Sequence, residues 1–188
     1  NVEDPAGVAE KDAEVQPRRD LAPTWTTLGS MDPTSGYLML ITLNSRGAGV
    51  ERIELTERTP RGGLKYQRVD VKHGYLGYFA SDPLSSSGVE VNVVGPGTPA
   101  DLAGIQVGDV ITSAGGVPLV TPFDLESRLL KTEPGQELPL EVVRDGKPLS
   151  LAAVLSEHPL DLVRLAHQGG LDQVKGNLDR LSCLMTLS

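Results

Sequence analysis

Three consecutive backbone amides, those of Leu76, Gly77 and Tyr78 in Gly74-Tyr75-Leu76-Gly77-Tyr78-Phe79, are the chemical feature that stands out in this 188-residue sequence. Backbone N–H groups that converge in one loop form a concave site for an anion. Glycine at position 77 permits a backbone conformation that a side chain would obstruct. A strand starting at this loop leaves an edge beside a helix expected over Pro122–Lys131, and an extended peptide can add to such an edge. Main-chain bonds then give affinity, and pockets give selectivity. Leu76, Tyr78, Leu125 and Leu129 would line an apolar end pocket, with ordinary core packing the alternative for whichever of Leu125, Leu129 and Leu130 faces inward.

Other chemistries fit the residues less well. Gly95-Pro96-Gly97-Thr98-Pro99-Ala100 matches the glycine pattern of dinucleotide sites, which need a long helix to meet a pyrophosphate. Here Pro99 removes an amide and Gly104 cuts the helix short, so the segment reads as a turn and a helix cap. No G-x-S-x-G elbow is present, and Ser85-Ser86-Ser87 lies in a turn without an adjacent base. His73, His158 and His167 have no partners that make a nucleophilic or metal site; His158 and Asp161, three apart, supply only two ligands. Cys183 sits in an apolar run as a core filler. No catalytic residue, metal or cofactor is expected.

The elements that must position the loop follow from periodicity and turn chemistry. Residues 1–36 hold Pro5, Pro17, Pro23 and Pro33 without a sustained apolar period and read as a flexible linker. Residues 37–73 read as a hairpin, Tyr37–Leu43 and Val50–Leu55 around the turn residues Asn44–Gly49, and a lone hairpin needs a partner. From 74 to 157 the order is strand, short helix, strands, longer helix, two strands. Val89, Val91 and Val93 alternate along a half-buried strand. Thr98-Pro99 and Thr121-Pro122 both start helices, and Arg144-Asp145-Gly146-Lys147 turns the last hairpin. Residues 158–188 read as a helix from near Pro159 and a closing strand at Leu181–Leu187.

The charge distribution limits the partners. There are 17 Lys+Arg against 25 Asp+Glu, a net −8, of which residues 74–157 carry −7 and residues 1–36 carry −4, offset by +3 over residues 37–73. This balance excludes a sequence-independent nucleic-acid surface. It also favours ligands with basic residues upstream of their terminus. A single cysteine excludes a disulfide framework within the chain. No apolar run is long enough to span a bilayer, and the N-terminus lacks a signal-peptide pattern.

The loop, the stretch Val93–Ile111 and the segment Val142–Leu149 together resemble a PDZ domain of the bacterial periplasmic, HtrA-like type over residues 74–157. The resemblance implies an α+β, mostly β fold: a partly open β-barrel capped by two helices. It implies a non-catalytic module that binds a polypeptide C-terminus or extended segment by strand addition, through Tyr75, Leu76, Gly77, Tyr78, Phe79, Leu125 and Leu129. Tyr78 departs from the family, which usually has an aliphatic residue there. The flanking stretch Leu40–Glu51 resembles the opening strands of the periplasmic domain of a YidC-type membrane protein insertase. That resemblance implies a PDZ module inserted in a truncated β-sandwich, with residues 37–73 its hairpin and 158–188 its returning part. The full-length protein would be membrane-anchored at the periplasmic face of the bacterial inner membrane. Two alternatives stand beside this expectation. One is a regulatory PDZ fragment of an envelope protease. The other is a spacer whose groove is filled by its own residues 21–30 or Leu181–Leu187.

Overall fold

Two antiparallel sheets organise the chain, and the second is inserted between the third and fourth strands of the first. The computed structural model describes residues 22–46, 49–67 and 71–163. The first sheet has the order β1-β2-β3-β9, from β1 (Trp25–Gly29), β2 (Met39–Asn44), β3 (Gly49–Leu55) and β9 (Leu160–Val163). The second is built from β4 (Val89–Glu90), β5 (Val110–Ala114), β7 (Glu137–Arg144) and β8 (Lys147–Val154), with β6 (Val117–Pro118) paired to β5. Two helices, α1 (Pro99–Leu102) and α2 (Pro122–Leu129), belong to this inserted unit. The fold is mostly β with few helices and is not a closed barrel.

Local chemistry explains the inserted unit. Thr98 caps α1, its hydroxyl accepting from the Asp101 amide, with Pro99 at the first helical position. At α2 the Asp124 carboxylate reaches back to accept from the amides of Val120 (2.9 Å) and Thr121 (2.8 Å). The β7–β8 turn has Asp145 and Gly146 at φ +50° and +76°, the backbone that a two-residue hairpin requires. One apolar cluster, with Ile111, Leu138 and Val142 fully buried, ties both helices to the sheet. Arg144 donates from Nε and Nη2 to the two Asp109 oxygens (2.7 and 2.8 Å) and from Nη2 to the Gly104 carbonyl, pinning β7 to the loop after α1. That bond to Arg144, against the opposing effect of burial, holds the Asp109 carboxyl below its usual range.

The first sheet is built the other way round. Its register aligns Leu28, Ile41 and Ile53 in one row and Met39, Leu55 and Leu160 in another, an apolar face on which Leu28 and Met39 are exposed. The opposite face carries Leu40, Thr42, Glu51 and Glu54, all buried, and of these Leu40, Glu51 and Glu54 touch Tyr75 or Tyr78 of the inserted unit. Ser30 and Met31, just after β1, donate to the Pro96 carbonyl (3.0 Å from Oγ, 2.8 Å from the amide). The glycines of the dinucleotide-like pattern make this approach feasible. A Cβ at Gly97, where φ is +75°, would lie 2.2 Å from the Asp32 nitrogen, and one at Gly95 would lie 2.5 Å from Leu40 Cδ2.

Several expectations need correction. Residues 25–29 of the expected linker form β1, because β2 offers them a full antiparallel partner. The helix expected near Pro159 is strand β9 instead, recruited by the free edge of β3. Of the alternating valines only Val89 belongs to a regular strand, although Val89, Val91 and Val93 are all buried. Leu130 is exposed and lies off the α2 apolar stripe. The expected strand Leu181–Leu187, and residues 1–21 of the expected linker, lie outside the described residues.

Candidate functional site

The glycine-rich loop is fixed at both ends before it opens. Tyr75 pairs with Ser156 in both directions, N–H to O at 2.9 and 3.1 Å, and the Gly74 amide donates to the Thr132 carbonyl. Further on, the Phe79 carbonyl accepts from the amides of Asn92 (2.9 Å) and Val93 (3.3 Å), and the Ala80 carbonyl from Asn92 Nδ2 (3.0 Å). Residues 79–80 are therefore held from the side of the inserted sheet. Between these anchors the amides of Leu76, Gly77 and Tyr78 have no hydrogen-bond acceptor among the described residues. Unsatisfied backbone donors in sequence are what an incoming carboxylate would meet. Gly77 has φ +149°, and a Cβ there would come within 3.3 Å of the Ala100 Cβ, so the position suits glycine on both counts.

The expected site residues divide into two groups. Leu76, Phe79 and Leu125 are buried together in the core of the inserted unit, and half-buried Leu129 packs against that core. They set the position of the loop relative to α2. Tyr75 and Tyr78 instead turn towards the flanking sheet: Tyr75 clusters with Met31 and Leu40, and the Arg52 guanidinium lies 5.0 Å from the Tyr78 ring centroid. Tyr75 Oη donates to Glu54 Oε1 at 2.6 Å, and Tyr78 Oη donates to Glu51 Oε1. Burial first, and the neighbouring glutamate second, hold both phenols protonated with pKa values above the ordinary 10.

Residue-by-residue reading of the sequence missed the partners of these tyrosines. Glu51 is buried and also accepts from Trp25 Nε1 (2.6 Å) and Asn44 Nδ2 (2.8 Å). Arg52 Nε lies 3.0 Å from Glu54 Oε1 but off the hydrogen-bonding line, so the contact is an ion pair, and Arg52 Nη2 lies 3.8 Å from Asp161. Burial works against the Arg52 charge, yet Glu54, Tyr75 and Asp161 together raise its pKa. His158 stacks edge-on with Tyr75 at 4.8 Å and His73 at 5.6 Å, and burial lowers its pKa. One sign was available in the sequence: two tyrosines close together in one short apolar loop, whose hydroxyls need acceptors once their rings are buried.

Residues 53–155 match the PDZ domain family, over half of the sequence. The chain belongs to the PDZ family. Among curated relatives, the periplasmic pH-dependent serine endoprotease DegQ of Escherichia coli is 43% identical over 96 residues, 46% of this chain and 21% of DegQ. The serine endoprotease DegS of Salmonella typhimurium is 38% identical over 78 residues, 42% of this chain and 21% of DegS. This chain thus aligns with about a fifth of the length of these relatives. Among solved structures, the HtrA3 PDZ domain bound to a phage-derived ligand, FGRWV, is 34% identical, covers 42% of this chain and 66% of its own, and has a TM-score of 0.33. The PDZ region is similar to the PDZ-bearing parts of the serine endoproteases DegS and DegQ. Among the described residues no helix is long and apolar enough to cross a membrane, and no cluster of metal-ligating side chains occurs.

Proposed function

We propose that the chain is a non-catalytic peptide-recognition module that captures a polypeptide C-terminus, or an extended segment, by strand addition along the residues that start at Tyr75. The observation that carries this reading is the run of unpartnered amides at Leu76, Gly77 and Tyr78 between two anchored ends. The terminal carboxylate sits on those amides, and the ligand backbone runs beside Phe79 and α2. Half-buried Leu129 supplies the apolar side of the groove, with Leu125 packed beneath it in the core. The −7 charge of residues 74–157 favours a basic residue upstream of the terminus.

The parent protein is read as an envelope protease, in which this module selects or senses substrate, because the relatives reported above are serine endoproteases and one is periplasmic by name. A second reading, an insertase of the YidC type, is favoured by one observation: the PDZ unit is inserted between β3 and β9 of a separate sheet. The self-occupied spacer loses one of its two occupants, since residues 25–29 are paired with β2 as β1.

Calorimetric titration of the chain with FGRWV and with its C-terminal amide tests the function. Binding of the free acid, at least tenfold tighter than the amide, is expected. Equal affinities for acid and amide, or binding of neither, would refute carboxylate capture. Replacing the ligand arginine by glutamate should weaken binding, less so at high salt.

A further inference from the structure

Strand β3 contains an irregularity that reaches the loop. Its register against β2 runs Thr42 to Arg52 and then Leu43 to Val50, so Glu51 is an extra residue in a β-bulge. In a regular strand Glu51 and Arg52 would point to opposite faces. A bulge re-aims the added side chain. The result is that Glu51, Arg52 and Glu54 all contact the two loop tyrosines.

The contacts are arranged as two holds on one short loop. Glu54 accepts from the Tyr75 hydroxyl at 2.6 Å, immediately before the three open amides. Glu51 accepts from the hydroxyl of Tyr78, the residue carrying the last of them. Glu51 is held in turn by Trp25 Nε1 on β1 and Asn44 Nδ2 on β2. Arg52 joins the two holds, 3.0 Å from Glu54 and over the Tyr78 ring. Well-packed apolar residues often stabilise a buried seam as well as charged ones do, so this network adds direction more than strength. It also explains why position 78 is a tyrosine: an aliphatic side chain has no hydroxyl to place on Glu51.

We propose that Glu51 and Glu54 of the flanking sheet are positioning residues for the amides of Leu76, Gly77 and Tyr78, and that the chain Tyr78–Glu51–Trp25 couples occupancy of that loop to the flanking sheet. The ligand part of this inference rests on the peptide-capture reading above; the coupling between sheet and loop does not. Trp25 is the only tryptophan in the chain, which makes the coupling visible by fluorescence.

The test uses the full chain and the variants Tyr78→Phe, Tyr75→Phe and Glu51→Gln, each confirmed as folded by its melting curve. Tyr78→Phe removes one oxygen atom and is the mildest. Without ligand, Tyr78→Phe should shift the Trp25 emission and the amide resonances of Leu76–Tyr78. If both stay at their wild-type values, the coupling is wrong. With FGRWV and its amide as probes, the wild-type acid-to-amide affinity ratio should fall at least fivefold in Tyr78→Phe and Glu51→Gln, and the Trp25 response to the acid should disappear. A general loss of stability would weaken acid and amide alike and leave the ratio unchanged. A ratio within twofold of wild type in both variants overturns the positioning role. If the wild-type ratio is near one, the peptide-capture reading and the positioning role that depends on it fail together, whereas the unliganded spectra still decide the coupling.

Discussion

The inserted PDZ unit and the seam that joins it to the flanking sheet are assembled by opposite means. The unit closes around an apolar cluster whose central residues, Ile111, Leu138 and Val142, are fully buried. The seam is lined by Glu51, Glu54 and the hydroxyls of two tyrosines. Apolar burial is non-directional and scales with area, so it supplies most of the stability of a unit without fixing any single contact. Hydrogen bonds to buried acids contribute less net energy but specify geometry within a few tenths of an ångström. The unit is thus stabilised by its own interior and aimed by its neighbour.

Substitutions on the two sides test that contrast. The largest effect is expected from Leu138→Ala, which opens a cavity in the fully buried core and should cost roughly 2–5 kcal/mol in denaturant unfolding. If it costs less than a seam substitution, the division of labour is wrong. Gly97→Ala comes next, at roughly 1–3 kcal/mol, because the new Cβ meets backbone at a position with positive φ. Its signature should be loss of hydrogen-exchange protection at the Met31 amide before the inserted sheet is affected. Thr98→Ala removes the α1 cap and should cost about 1 kcal/mol. A change confined to residues 98–104 in exchange experiments would place the effect inside the unit, and spread to β1 would place it in the seam.

The smallest effect should come from pH. Burial lowers the His158 pKa below its ordinary 6.5, and the ring is faced by Tyr75, His73, Arg52, Glu54 and Asp161. The unfolded chain therefore binds this proton at higher pH than the folded one does. The stability linked to His158 is complete above pH 6.5 and declines as pH falls below it, levelling once the folded-state pKa is passed. Melting temperatures measured between pH 8 and 5 should show this slope in the wild type and a flatter one in His158→Gln. Asp109 acts in a separate, more acidic window, below its ordinary 3.8, so the two contributions are resolved.

How much was legible in the sequence follows the same division. The inserted unit was readable because its signals are local. Threonine before proline starts α1 and α2, Gly104 at φ +82° ends the first, and Asp145-Gly146 turns the last hairpin. The glycine-rich loop was readable for the same reason, down to the need for glycine at 77. The flanking sheet was only half readable. Its hairpin has a clear pattern, but β1 is five residues among prolines and β9 follows Pro159 with the spacing of a helix start. Both exist because a distant strand pairs with them, and no local propensity encodes that. Glu51, Arg52 and Glu54 look like the solvent-facing residues of an ordinary strand. The bulge that turns them inward is a property of the register with β2, which appears only once both strands are placed.

The insertion between β3 and β9 has a kinetic consequence. Leu55 and Leu160 are adjacent in the sheet, yet the entire second sheet and both helices separate them in the chain. In an unfolded chain, β9 must find its partner across that entire length. Once the unit has folded, the Tyr75–Ser156 pairing draws its two ends together and leaves a short search. Each halving of the effective span lowers the closure cost by about 0.6 kcal/mol. Loop-closure cost therefore favours an order in which the insert condenses first and β9 docks last, completing the first sheet after the inserted unit has folded.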